Sequence, residues 1–178
     1  FAQSFSQTHP DVVVVGLRYC NDYGPGEAHK GTRASMVFQL AQQIASRNPR
    51  LFRDGSQRRD YLYVSDAVAA NLLAASATES CLLNCGSGVA TSFNDLVAML
   101  NEVLGTKGVP EYIENPYADR YQSHTECDMT RARNVLRFVP SVGISEGIRR
   151  YFHSGELAPS LLRAAHMSGT VQRAQDQA

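Results

Sequence analysis

A chain of 178 residues with 17 basic and 17 acidic side chains carries no formal net charge, so it lacks the electrostatic footprint of a nucleic-acid or anionic-membrane partner. With 43% apolar and 19% charged residues it has the composition of a globular protein with a sizeable core. No apolar stretch is long and uncharged enough to span a bilayer, and the first ten residues, FAQSFSQTHP, lack the basic start and apolar run of a signal peptide.

Phe1 and Phe5 stand at i, i+4, as in the last turns of an amphipathic helix, and Pro10 follows as a stop. Val12 to Leu17 is a β-branched run, read as a strand buried on both faces in a parallel sheet. The loop YCNDYGPGEAHKG follows. TRASMVFQLAQQIASRNP then places Met36, Val37, Leu40, Ala41 and Ile44 on one helical face, with Thr32 as expected N-cap and Pro49 as stop.

LFRDGSQRRDYLYV reads as two short strands around the polar turn Asp54-Gly55-Ser56. SDAVAANLLAASA is an alanine-rich helix expected to be capped by Ser65, and CLLNCGSG a short buried strand ending in a glycine turn. SFNDLVAMLNEVLG is the clearest helix: Ser92 and Asp95 form a capping-box pattern, Phe93, Leu96, Val97, Leu100 and Leu104 make the apolar stripe, and Gly105 ends it. PEYIEN reads as a strand, HTECD as an extended piece, and MTRARNVL and ISEGIRRYF as helices. From about Leu157 the composition turns Ala/Ser/Gln-rich, and a frayed or disordered tail is expected over 156–178. Strands alternating with helices argue for an α/β protein with a smaller α+β lobe.

Ligands of open parallel sheets bind outside the carboxyl ends of strands, which singles out the loop 20–31. Asn21 offers donor and acceptor, and Asp22 is acceptor-only. Lys30 is one of two lysines in the chain, the other being Lys107. It either holds a phosphate, acts as an acid/base, or is an exposed loop side chain. Arg58 and Arg59 follow a Gly-Ser turn and read either as a fork for a diphosphate or as surface arginines paired with Asp60. NCGSG lacks the third glycine of a dinucleotide fingerprint and reads as a tight strand end. His124 and Asp128 have no third ligand or nucleophile spaced to join them, so a structural role is expected and no metal. Cys20, Cys81, Cys85 and Cys127 form no C-x-x-C pair and no zinc spacing with the five histidines. They are read as reduced core residues of a cytoplasmic protein.

Four segments in this order, GLRYCNDYGPGE, LFRDGSQRRDYLYVSDAVAANLLA, LLNCGSGVATSFNDLV and EGIRRYF, resemble the C-terminal half of the extended short-chain dehydrogenase/reductases. These are the NAD-dependent epimerase/dehydratase family of nucleotide-sugar enzymes. The resemblance covers about residues 1–155. Within that family GEAHKG and YQSHTECD are most similar to the ADP-L-glycero-D-manno-heptose 6-epimerases, which make a lipopolysaccharide precursor.

The resemblance implies the C-terminal part of a Rossmann-like α/β fold with a small substrate-binding lobe, NAD or NADP as cofactor, a nucleotide-sugar substrate, and a homo-oligomer for the intact enzyme. It implies Asn21 at the sugar-nucleotide site, Cys20 and Asp22 near the nicotinamide end of the cofactor, and Lys30 as a second acid/base. Thr32, Phe52, Gly55, Ser56, Arg59 and Tyr121 are implied as substrate contacts, with Gln39 standing where some members have histidine. The family also needs an N-terminal glycine-rich turn and a Tyr-x-x-x-Lys pair, and neither occurs here. The chain is therefore expected to be the half that follows the Tyr-x-x-x-Lys helix, without turnover alone. The alternatives are a nucleotide-sugar 4-epimerase or dehydratase, and a non-catalytic nucleotide-sugar-binding module.

Overall fold

The computed structural model of the protein describes residues 2–161 and Arg163. In chain order its elements are helix α1 (Ala2–Thr8), strands β1 (Val15–Tyr19) and β2 (Asn21–Tyr23), a 3-10 turn (Ala28–Arg33), helix α2 (Met36–Ile44), and strands β3 (Arg50–Phe52) and β4 (Arg58–Tyr63). There follow α3 (Val64–Ala75), β5 (Cys81–Cys85), β6 (Ala90–Ser92), α4 (Phe93–Leu104), β7 (Glu111–Ile113), α5 (Thr130–Leu136) and α6 (Ile144–His153). This is the expected α/β class, with parallel pairs β1–β5 and β3–β7. The chain divides into two compact units whose segments alternate along the sequence.

The first unit comprises Phe1–Asp22, Gln57–Ser92 and Gln122–Ile144. Val15 to Tyr19 pair in register with Cys81 to Cys85. Leu62, Ala67, Ala70, Leu83, Cys85, Met129, Ala132, Leu136 and Phe138 form its core, with Val15 and Leu17 packed against it. β4 pairs antiparallel with β6, Arg58 facing Ser92 and Asp60 facing Ala90, and β2 lies on the other side of β4.

Two expectations fail in this unit. The strand begins at Val15 rather than Val12, and Val12 and Val13 are 47% and 48% exposed. Among the described residues β1 is paired only with β5, so the β-branched run lacks the cover of a central strand. Helix α3 starts at Val64 with Tyr63 at its N-cap and no side-chain cap, because β4 runs directly into it and leaves Ser65 inside the first turn. Asp66, buried in that turn, reaches away instead: its carboxylate accepts the Ser141 amide at 3.1 Å, the Ser141 hydroxyl at 2.7 Å and the Val142 amide at 2.9 Å.

The second unit comprises Tyr23–Ser56, Phe93–Tyr121 and Ser145–Ala178. The predicted stripe of α4 is buried residue for residue, and α4 packs on α2, which buries Val37, Leu40, Ala41 and Ile44. Tyr151 of α6 stacks on Phe38 with centroids 6.4 Å apart. The two strands flanking Asp54–Ser56 do not form a hairpin: β3 pairs with β7, β4 with β6. Leu157 and Ala158, placed in the expected tail, are buried, and the Leu157 carbonyl accepts from the Gln42 side chain. The remainder of that tail, residue 162 and 164–178, lies outside the described residues.

Candidate functional site

In the second unit the loop after Tyr23 is built on Glu27. Its carboxylate is 4% exposed and accepts the Ser35 amide at 2.6 Å, the Ser35 hydroxyl at 2.9 Å and the Gly24 amide at 3.4 Å. One buried acid thus closes both ends of the loop, and the loop in return supplies the donors that a buried polar group needs. Ser35, not Thr32, caps α2: its hydroxyl accepts the Phe38 amide at 3.2 Å. The expected cap is displaced because Gly31 takes φ 56° and ψ −123° and breaks the 3-10 turn before Thr32 can lead into α2. Lys30 and Thr32 stand exposed on this turn. The Lys30 side chain makes no hydrogen bond or ion pair among the described residues, although its backbone amide donates to the Glu27 carbonyl at 2.9 Å. Gln39 braces the same turn by donating to the carbonyls of Thr32 at 3.2 Å and Ala34 at 2.6 Å.

The second feature of this unit is the turn 53–56. Arg53 adopts φ 56°, uncommon for a residue with a side chain, and its amide donates to the Ile113 carbonyl at 2.7 Å. Asp54 accepts the Ser56 amide at 3.0 Å and hydroxyl at 2.6 Å, an Asx turn that holds the carboxyl below its ordinary range through those Ser56 donors. Gly55 has φ 71°, and a Cβ there would lie 2.8 Å from Asn94 Cγ and from Leu51 Cδ1. Phe52 meets Tyr121 edge to face at 5.5 Å. Arg53, Tyr112, Ile113, Glu114, Asn115 and Ala118 line a cleft of about 430 Å³. Five of the predicted contacts, Thr32, Phe52, Gly55, Ser56 and Tyr121, thus belong to this unit and three of them to one turn and its approach, whereas Asn21 and Arg59 belong to the first unit. Arg53 and the β7 residues escaped the sequence reading, although Arg53 adjoins the turn already singled out.

In the first unit Asp60 organises the carboxyl end of β1. It is completely buried. Oδ1 accepts the Ser87 amide at 2.7 Å and hydroxyl at 2.6 Å, and Oδ2 accepts the amides of Gly88 at 2.9 Å and Cys127 at 3.0 Å. The Asn21 side chain donates to the Asp60 carbonyl at 2.9 Å. Asp60 therefore anchors the glycine turn 86–88 and is not the surface partner the neighbouring arginines suggested. Arg58 instead donates to the Ala90 carbonyl at 3.1 Å, and Arg59 to the Arg58 carbonyl at 2.7 Å.

The reading of four reduced cysteines is overturned here. Cys20 and Cys127 form a disulfide with Cα atoms 6.8 Å apart, and Cys81 and Cys85 are free. Gly86 makes room for it: an added Cβ would sit 2.7 Å from Cys127 Cβ and 2.8 Å from its Sγ. Local spacing gave no hint because the pair closes a separation of 107 residues. Burial, with the negative charges of Asp22, Asp60 and Asp66, pushes the Cys85 thiol up to about 12. His124 pairs with Glu126 at 3.1 Å on the surface.

Residues 1–86 match the model of the NAD dependent epimerase/dehydratase family, and the structure of Helicobacter pylori ADP-L-glycero-D-manno-heptose-6-epimerase superimposes with a TM-score of 0.77 and 37% identity. Over residues 1–86 the chain is similar to the NAD-dependent epimerase/dehydratase family. That superposition covers 85% of this chain and 47% of the Helicobacter chain. A second family member, UDP-glucose 4-epimerase from Thermotoga maritima with UDP-glucose, is 31% identical over 85% of this chain and 50% of its own, with a TM-score of 0.76. A third, MoeE5 in complex with UDP-glucuronic acid and NAD, is 30% identical over 79% of this chain and 46% of its own, with a TM-score of 0.69. The chain spans about half the length of the solved family members it matches.

Proposed function

We propose that this chain is the nucleotide-sugar-binding half of an NAD(P)-dependent epimerase, acting on an ADP-heptose or another nucleoside-diphosphate sugar. The observation that carries the reading is the cleft in the second unit. It joins a guanidinium held on a left-handed backbone to a carboxylate, Glu114, and an amide, Asn115. Arg53 suits the diphosphate as a planar fork, Glu114 and Asn115 suit ribose hydroxyls, and Ser56 and the Phe52–Tyr121 pair stand at the same turn. Asn21, Thr32, Arg59 and Lys30 are the further ligand contacts in this reading, with Lys30 exchanging a proton with a sugar hydroxyl.

The described residues do not form a dinucleotide site by themselves. The amides of Ser87 and Gly88 that would cradle a phosphate are spent on Asp60, and the Cys20 sulfur is bonded to Cys127. What remains toward NAD or NADP is Asp22 and the backbone beside it, so the part of this chain is ligand binding rather than redox chemistry.

Equilibrium dialysis against ADP-glucose, UDP-glucose and NAD tests the proposal. The nucleotide-sugars bind, NAD does not, and tighter binding of the ADP-sugar favours the heptose epimerase reading over a UDP-sugar 4-epimerase. In a longer protein that carries the glycine-rich turn and Tyr-x-x-x-Lys pair, Lys30→Ala lowers turnover by about 10²-fold or more, well beyond its effect on binding. Unchanged turnover removes Lys30 from the chemistry.

A further inference from the structure

We propose that Cys20 and Cys127 form a reversible thiol–disulfide site that pins the ligand segment Asn21–Asp22 to the extended segment around Cys127, with low-molecular-weight thiols and disulfides as its exchange partners. Cys20 links β1 to β2, immediately preceding Asn21, and Cys127 lies in the segment held by Asp60. Both are half-buried, so a small thiol reaches them without unfolding the chain.

The same atoms suggest a metal site at first sight. The two sulfurs and one Asp60 carboxylate oxygen lie within 4.8 Å of one another. Hydrogen bonding decides against it. Each Asp60 oxygen already accepts two donors, which fills the lone pairs a cation would need. Two sulfurs without a third ligand make a redox pair, not a metal centre.

The surroundings also make the bond separable from the fold. With the disulfide open, the Cys20 amide still donates to the Cys85 carbonyl at 3.0 Å, the Asn21 side chain to the Asp60 carbonyl, and the Cys127 amide to Asp60 Oδ2. The Asn84 side chain still donates to the Asp128 carbonyl at 3.1 Å. Reduction therefore loosens residues 20–22 and leaves the unit folded. Scrambling is restrained as well. Cys85 packs in the core that Cys127 touches, but its suppressed ionisation denies it the thiolate that exchange requires.

Oxidation proceeds in two exchanges. A thiolate of the pair attacks a small disulfide such as oxidised glutathione, forming a mixed disulfide and expelling one thiol. The second cysteine, losing its proton, displaces the other thiol and closes the Cys20–Cys127 bond. The two protein thiols are oxidised, and the small disulfide takes up both electrons and both protons.

The test equilibrates the chain in glutathione buffers of graded poise, then traps thiols with an alkylating agent after denaturation and identifies them by peptide mass. Two thiols, Cys81 and Cys85, are expected in oxidising buffer and four in reducing buffer, with hydrogen exchange at 20–22 and 126–128 at least tenfold faster in the reduced chain. Cys20→Ser reproduces the reduced exchange rates in both buffers, and Cys127→Ser serves as the independent second variant. Four thiols in every buffer, or a Cys20–Cys127 bond that forms without altering exchange in either segment, overturns the proposal. The link to ligand binding rests on the function proposed above. If exchange responds to redox poise while ADP-glucose affinity does not, the redox site stands and the assignment of Asn21 to the ligand falls.

Discussion

Asn94 holds Gly55 from two directions. Its backbone amide donates to the Gly55 carbonyl at 3.1 Å, while its side chain occupies the volume that a Cβ on Gly55 would need. That side chain is itself fixed, donating to the Asp54 carbonyl at 2.8 Å and accepting the Tyr112 hydroxyl at 3.1 Å. Gly55→Ala therefore combines a left-handed φ with a collision, and costs about 2–3 kcal/mol of unfolding free energy. Adding Asn94→Ala relieves the collision with Asn94 but leaves the one with Leu51 and the backbone strain. A double-mutant cycle by urea unfolding reads this as a favourable coupling of about 1 kcal/mol, and strict additivity would disprove the contact.

Asp60→Asn tests the clamp in the first unit. The amide nitrogen it introduces faces backbone N–H donors, so at least one of four hydrogen bonds becomes a donor–donor contact. The expected cost is about 3 kcal/mol, of the order found for charged hydrogen bonds and stranded buried donors. Urea unfolding measures it, and hydrogen exchange at Ser87, Gly88 and Cys127 locates it. A loss below about 0.5 kcal/mol, the size of an ordinary surface substitution, would mean Asp60 is not the anchor.

Stability depends on pH at both extremes. In alkali the unfolded Cys85 thiol ionises from its ordinary 9.0, whereas in the folded chain it keeps its proton to about 12. Over that window the unfolded state binds fewer protons, so stability falls as pH rises from 9 towards 12. Cys85→Ala lowers stability overall but flattens this limb relative to the parent. In acid, Asp54, Asp128 and Glu146 are held below their ordinary values by donors from Ser56, Thr130 and Arg150 respectively. Their contribution is present at neutral pH and is lost as pH falls through those lowered values. Asp54 and Asp128 are exposed and Glu146 is only partly covered, so the acid limb is shallow. Urea midpoints measured across pH check both limbs.

Arg53→Ala is expected to weaken nucleotide-sugar binding by about tenfold or more, the order of one charge-assisted contact. Because Arg53 is exposed and left-handed, replacement by glycine relieves strain, and Arg53→Gly is expected to stabilise slightly while still losing affinity. Calorimetric titration with ADP-glucose and thermal unfolding separate the two effects. Full affinity in both variants would remove Arg53 from the site.

Local periodicity made the helices legible. The stripe from Phe93 to Leu104 required only the spacing of apolar residues, and Gly105 marks the stop with φ 66°. Features set by distant partners were not legible. Asp60 stands beside two arginines in sequence, yet its donors come from Ser87, Gly88 and Cys127. The Cys20–Cys127 bond joins residues 107 apart, and no spacing rule sees that far. Thr32 looked like a cap because it precedes the apolar face, but Glu27 reaches across eight residues to hold Ser35 as the N-cap of α2. Among the ligand candidates, the positions around Phe52–Ser56 were found through resemblance. Arg53 became visible only once β7 was seen to pair with β3 and form the cleft wall.

The most direct measurement of the central claim is a residue-resolved NMR titration of the chain with ADP-glucose and UDP-glucose. Saturable amide shifts confined to Phe52–Ser56, Tyr112–Asn115 and Tyr121, together with Asn21 and the turn around Lys30, are the predicted result. Addition of either nucleotide-sugar at millimolar concentration without saturable shifts in the 52–56 turn and the β7 cleft would contradict the account.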